Sequence, residues 1–253
     1  MNLTGNTILI TGGGSGIGRG LAEAFLAAGN QVIIAGRRPK PLEEVTSANP
    51  GMKAITLDIQ DPQSIRAVAA HLATDHPALN VVIHNAGIMR PESIDSPNSA
   101  DAQEMITTNL LGPIRLTTAL LPLLKRQPRS TIMTVSSGLA FVPLAMTPTY
   151  CATKAAIHSY TLSLRWQLKS THTEVIELIP PYVQTELMGP TQAQDPRAMP
   201  LAAFISEVIQ ILKTQPALTE ICVERVKPFR FAAQNRTFDP TFQGLNNSMP
   251  APH

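Results

Sequence analysis

Cysteine is scarce in this chain: Cys151 and Cys222 stand far apart, with no C-x-x-C spacing and no histidine cluster beside either. That argues against a disulfide framework and a metal centre, and no metal ligand is assigned. Charge is sparse too. With 15% charged residues, a formal net charge of +2 and no run of five or six like charges, the chain has neither a nucleic-acid footprint nor a polybasic membrane patch. No apolar run approaches the roughly 18 residues that span a bilayer. The opening "MNLTGNTILITGGG" lacks a basic segment, apolar core and small-residue cleavage site. The expected setting is the cytoplasm. The expected partners are small molecules and further copies of the chain, with no nucleic acid and no membrane.

What is present is a strand–helix alternation. Short apolar, β-branched runs recur at 7–11, 31–35, 53–57, 80–84, 130–136, 174–179 and 220–226, and helical periodicity fills 16–28, 61–74, 99–126, 149–169 and 200–214. Strands that are apolar throughout imply burial on both faces, as in a parallel sheet covered by helices. The expected fold is therefore α/β: a doubly wound, Rossmann-type parallel sheet of about seven strands in a single domain over 1–226. Pro122 predicts a kink or an early stop in the fourth helical segment. The turn-rich stretch 184–200 follows the sixth strand, where such sheets bind ligands, and is expected to be a substrate loop, a mobile lid. Residues 227–253, with four prolines and no evident period, are expected to form a partly ordered tail.

Directly after the first strand comes "TGGGSGIGRG" and then an amphipathic helix. The spacing is not G-x-G-x-x-G but T-G-x-x-x-G-I-G, with Thr11, Gly12, Gly16, Ile17 and Gly18. Glycines between a strand and a helix let the backbone approach a pyrophosphate, and the helix N-terminus offers N–H donors to its charge. In dinucleotide folds an acidic residue about twenty positions on binds the ribose 2′-hydroxyl of NAD, and an arginine there accommodates the 2′-phosphate of NADP. Here that place holds Gly36, followed by Arg37 and Arg38. NADP(H) is therefore favoured over NAD(H). Asp58, ending the third strand, is placed to cap the adenine pocket, with Ile59 beside it.

Tyr150 and Lys154 in "PTYCATKAA" are four residues apart and share one helix face. A free phenol titrates near 10 and shuttles protons poorly at neutral pH. A neighbouring ammonium, or the positive charge of an oxidised nicotinamide, favours the phenolate. Cys151, about 100° round the helix, is turned away and reads as a packing residue.

Taken together, "TGGGSGIG", "HNAG" at 84–87, Asn109, "VSSG" at 135–138 and "YCATK" at 150–154 stand in the order and spacing of the short-chain dehydrogenases/reductases, in their single-domain branch. Within that family "SSGLAFVPLAMTPTYCATKAAIHSYTLSLR" resembles the DltE-like oxidoreductases. The resemblance implies an oxidoreductase that interconverts a ketone or aldehyde with an alcohol. It assigns Tyr150 as proton donor and acceptor. Lys154 tunes the tyrosine and holds the nicotinamide ribose, Ser137 holds the carbonyl oxygen, and the Asn109 backbone holds a water joining Lys154 to solvent. It implies cofactor contacts at Gly12, Ser15, Gly16, Ile17, Gly18, Arg37, Arg38, Asp58, Ile59, Asn85, Ala86, Gly87, Tyr150, Lys154, Pro180, Val183 and Thr185.

The family's P-G after the sixth strand is Pro180-Pro181 here, and the first asparagine of its N-N-A-G is His84, read as a structural hydrogen-bonder. Met89, Leu139, Phe141, Val142, Met146 and Met188 either line a substrate pocket or belong to the core. Trp166 either packs in the core or meets a second subunit, the family's members forming homodimers and homotetramers. The rival functional reading is a catalytically silent NADP(H)-binding sensor on the same fold.

Overall fold

The computed structural model describes residues 1–93, 95, 99–215 and 217–249. Among them, β1 (Thr7–Thr11), β2 (Gln31–Gly36), β3 (Lys53–Thr56), β4 (Leu79–His84), β5 (Ser130–Val135), β6 (Thr173–Ile179) and β7 (Glu220–Cys222) form one parallel sheet. Its order is β3-β2-β1-β4-β5-β6-β7. The chain winds outward in both directions from β1 and β4, so the loops leaving those strands diverge and open a crevice at the carboxyl edge.

Both β1 and β5 are buried along their whole length, as two helical layers require. One layer holds α1 (Gly16–Ala27), α2 (Pro39–Ala48) and α7 (Leu201–Thr214). The other holds α3 (Pro62–Asp75), α5 (Gly112–Lys125) and α6 (Pro148–Leu168). Alternate residues of one strand feed the two cores: Ile8 and Ile10 meet Phe25 and Phe204, while Leu9 joins Leu72 and Leu120.

Several elements depart from the sequence expectation or refine it. Helix α2 carries only Leu42 and Val45 as buried residues, too few to mark a period, and is started by Pro39 in its first turn. β7 stops at Cys222, because β6 runs into Pro180 and Pro181, which have no N–H to extend the ladder; Glu224–Val226 is a single 3-10 turn. The segment 99–126 is helical, as α4 (Ala100–Ile106) and α5 joined by a π-helical turn at Thr107–Leu111. Pro122 does not stop α5, which runs on to Lys125: the carbonyl it leaves unbonded is that of Thr118, on the exposed face.

The stretch 227–253 is built, to residue 249, as α8 (Lys227–Arg230) and α9 (Phe238–Ser248); the expected tail's last four residues lie outside the described residues. Among the described residues no helix is long and apolar enough to cross a membrane.

Candidate active site

A cleft of about 800 Å³ lies along the carboxyl edge of the sheet, running from Arg37 and Arg38 past the glycine loop to Ser137, Tyr150 and Lys154. Its volume is that of a small-molecule or cofactor site. The loop's path leaves no room for side chains: a Cβ on Gly12, whose φ is +69°, would meet Asn85 Nδ2 at 2.9 Å, and one on Gly18 would lie 2.3 Å from the Gly12 carbonyl oxygen. Thr11 ties this loop to the strand beyond the crevice. Its hydroxyl accepts from the backbone N–H groups of Asn85 and Ala86, both at 3.0 Å, while Asn85 Nδ2 donates to the Thr11 carbonyl at 3.0 Å. Ser15 stands at the N-cap of α1 without a side-chain cap bond among the described residues. The first-turn N–H groups therefore face the cleft with no side chain competing for them.

At the far end Arg37 is 60% exposed, and its Nη1 lies 3.8 Å from Glu104 Oε1. Asp58 and Ile59 line the wall; Asp58 spends one carboxylate oxygen on the N–H of Gln60, 3.0 Å away. An anion with a diphosphate and a further phosphate fits this half of the cleft, where glycine backbone, a helix N-terminus and two arginines converge.

Of the four expected catalytic side chains, Ser137, Tyr150 and Lys154 line the other end of the cleft, and Asn109 lies buried behind its wall. Asn109 sits in the π-helical turn, which breaks the regular carbonyl ladder there. Its amide clips the segment after β4: Oδ1 accepts from Ile88 N–H at 2.9 Å, and Nδ2 donates to the Ile88 carbonyl at 2.9 Å and to Thr153 Oγ1 at 3.2 Å. Ser137 caps a one-turn helix, Gly138–Ala140, its Oγ accepting from Leu139 N–H at 3.1 Å. Tyr150 and Lys154 are buried on one face of α6.

Lys154 Nζ donates to the Val135 carbonyl at 2.8 Å and lies 5.6 Å from the centre of the Tyr150 ring. Burial pushes the Lys154 ammonium down to about 8, with the carboxylate of Glu177 acting against that fall. Burial also raises the Tyr150 phenol, opposed by a hydrogen bond with Ser137. Burial is the largest cause of that rise, and Cys151 adds to it.

His84 Nε2 bonds Thr117 Oγ1 at 2.8 Å, and burial pushes the ring down to about 4, so it is neutral at physiological pH. Cys151 packs against Leu144 and Thr147, and burial raises its thiol. Met89, Leu139 and Met188 line the cleft, and Met146 packs beside them. Val142 is core, and Phe141 packs edge-on against His158. Trp166 is 70% exposed, with Lys169 Nζ over its ring.

Pro180, Val183 and Thr185 all line the cleft. The prolines after β6 keep the loop path in place: the Pro180 carbonyl accepts from Gly138 N–H at 2.9 Å. Val183 pairs with Met199, and the buried Gln192 side chain donates to the Val183 carbonyl at 2.8 Å and to Thr185 Oγ1 at 3.0 Å. The stretch 184–200 is therefore cross-braced across its own base.

Sequence reasoning missed the third wall. Leu245, Ser248 and Met249 of the C-terminal segment line the cleft, together with Arg197, Arg225 and Phe229. Asn246 hangs α9 there, accepting from Ala145 N–H at 2.6 Å and donating to the Pro143 carbonyl at 3.2 Å. Arg197 Nη1 donates to the Ser248 carbonyl at 3.0 Å. A signal was available: Phe238, Phe242, Leu245 and Met249 follow a helical spacing.

The family described as short chain dehydrogenase matches residues 6–196. The chain is 38% identical over 252 residues to an uncharacterized oxidoreductase, DltE, of Bacillus subtilis, covering 97% of this chain and 98% of that one. It is 34% identical over 191 residues to an NADP-dependent 3-hydroxy acid dehydrogenase of Schizosaccharomyces pombe, covering 73% and 74%. Its fold superposes, at a TM-score of 0.80 and 23% identity, on a short chain dehydrogenase from Burkholderia cenocepacia J2315 in complex with NADP, over the full length of both chains.

Proposed function

The chain belongs to the short-chain dehydrogenase/reductase family, and from that premise we propose that it is an NADP(H)-dependent oxidoreductase interconverting a ketone or aldehyde and an alcohol. The observation that carries the reading is the placement of Ser137, Tyr150 and Lys154 at one end of a cleft whose other end holds Arg37 and Arg38, with Asn109 buried next to Gly87 of the cleft wall. Gly12, Ser15, Gly16, Ile17 and Gly18 would hold the diphosphate, Arg37 and Arg38 the 2′-phosphate, and Asp58 with Ile59 the adenine. Asn85, Ala86, Gly87, Pro180, Val183 and Thr185 would hold the nicotinamide half. A reduced nicotinamide bound there supplies a hydride to the carbonyl carbon.

The residues of this chain do the rest. Ser137 holds the carbonyl oxygen, and Tyr150 delivers the proton to it as the alkoxide develops, taking it back in the oxidative direction. The raised phenol keeps that proton in place until the oxygen becomes basic. Lys154 orients the ribose and stabilises negative charge on Tyr150 oxygen; Asn109, clipped to Ile88, fixes the turn whose backbone would lead the replacement proton in from solvent.

Met89, Leu144, Met188, Leu245 and Met249 around Tyr150 favour a substrate with an apolar body. Leu162 and Trp166, exposed at i and i+4 on α6, favour a homodimer or homotetramer. Two free cysteines accord with a cytoplasmic setting.

The test is to follow NADPH absorbance with a panel of apolar ketones and aldehydes beside short charged ones. Turnover weighted toward the apolar members is expected. Tight NADPH binding with no turnover of any carbonyl would replace this reading with that of a silent sensor.

A further inference from the structure

Glu177, which no part of the reaction above uses, is fully buried in β6, in register between Thr134 of β5 and Glu220 of β7. A buried carboxylate is costly unless paired. Its two oxygens share His158 Nδ1, at 2.8 and 3.1 Å. His158 lies one turn beyond Lys154 on the same face of α6. Lys154 Nζ rests on the carbonyl of Val135, the residue next to Glu177's own register partner Thr134. The carboxylate therefore belongs to the strand next to the one whose carbonyl holds the ammonium.

The second carboxylate is occupied from outside. Arg230 donates to both oxygens of Glu220, at 2.8 and 2.9 Å, and its guanidinium lies over the Phe141 ring at 4.7 Å. His158, Glu177 and Glu220 bring ligating atoms within 4.8 Å of one another. With Arg230 holding Glu220 on both oxygens, this is an ion-pair network and not a metal centre.

We propose that Glu177, fixed by His158, is a positioning residue that holds the Lys154 ammonium charged in its buried place beside Tyr150. The groups that face Lys154 are Tyr150 and His158 from α6, Glu177 from β6, the Val135 carbonyl from β5, and the neutral Asn109 and Gly87 from the far side. Of these, Glu177 carries the compensating negative charge. Its electrostatic effect opposes the fall that burial imposes on the lysine. Removing it leaves the desolvated amine to lose its proton at lower pH.

The proposal rests on the assignment of Lys154 to the cofactor and proton-transfer site. The experiment measures two quantities against pH: the rate of NADPH-dependent carbonyl reduction and the dissociation constant of NADPH. In Glu177→Gln both alkaline limbs are expected to move toward acid by about one pH unit, the scale of losing one nearby opposite charge. The double variant His158→Leu/Glu177→Met leaves neither member of the pair unpaired, so it reports even if Gln unfolds the chain, and the same displacement is expected. Glu177→Asp, which keeps the charge, should hold both limbs near their original positions. An NADPH-affinity limb that is absent, or unmoved in a folded variant, overturns the role of Glu177. Failure of the unmutated protein to turn over any carbonyl, with the affinity limb still displaced, counts against the proposed reaction alone.

Discussion

Burying an ammonium for catalysis should be visible as a cost in stability, and Lys154→Met measures it. Burial lowers the lysine from 10.5 to about 8. At ~1.36 kcal/mol per pKa unit this corresponds to about 3 kcal/mol of destabilisation when the lysine is charged in both states. Methionine also deletes the bond from Nζ to the Val135 carbonyl, a net loss of about 1 kcal/mol. The variant should therefore be more stable than the unmutated protein by about 2 kcal/mol at pH 7.

The sign with pH follows from proton counts. Between about 8 and 10.5 the unfolded lysine binds its proton while the folded one releases it, so the unmutated protein gains stability as pH rises. The variant's advantage should shrink through that window, vanish at about pH 9.5 and reverse to about 1 kcal/mol in favour of the unmutated protein at its upper end. Urea unfolding of both proteins at pH 7 and pH 9.5 checks this, because other titrating groups cancel in the difference. A variant less stable at pH 7, or an advantage independent of pH, would refute a desolvated, charged lysine at this position.

Arg37→Ala should weaken NADPH binding 5- to 30-fold, about 1–2 kcal/mol, since a half-solvated arginine–phosphate contact falls between exposed and buried pairs. NADH should be little affected; fluorescence titration decides, and tighter NADH binding by the unmutated protein would overturn the cofactor preference. Gly18→Ala places a methyl 2.3 Å from the Gly12 carbonyl oxygen, so a loss of about 1–3 kcal/mol is expected in thermal unfolding, with NADPH binding lost as the loop shifts. Leu245→Ala opens the apolar wall supplied by α9. KM for the best apolar substrate should rise several-fold with stability nearly unchanged, and an unaltered KM would remove α9 from the substrate site.

The central sheet was legible, and the four positions proposed to be catalytic could be picked out, because each is locally encoded. Burial on both faces demands uninterrupted apolar runs such as "TILIT", and Tyr150, Lys154 and the glycine loop lie in linked motifs with fixed spacing. What was hidden depends on distant partners. Strand β7 ends where it does because Pro180 and Pro181 end the ladder of the neighbouring strand, which is invisible from "EICVERV" alone. Glu177 reads as one polar residue in an apolar run until His158 is brought to it. Helix α9 was obscured by Pro240, Asn246 and Asn247, although Phe238, Phe242, Leu245 and Met249 carry a helical stripe. The direction of the Tyr150 shift was also out of reach, because it is set by burial of the phenol and not by the neighbour four residues on.

Proton transfer by Tyr150 is tested most directly by comparing the protein with Tyr150→Phe in NADPH-dependent reduction of its best carbonyl substrate, with NADPH affinity measured in parallel. Loss of the hydroxyl should lower kcat by about 10²- to 10⁴-fold, the usual contribution of a positioned acid, while NADPH continues to bind. Equal turnover by the two proteins would contradict the assignment of Tyr150 as the acid.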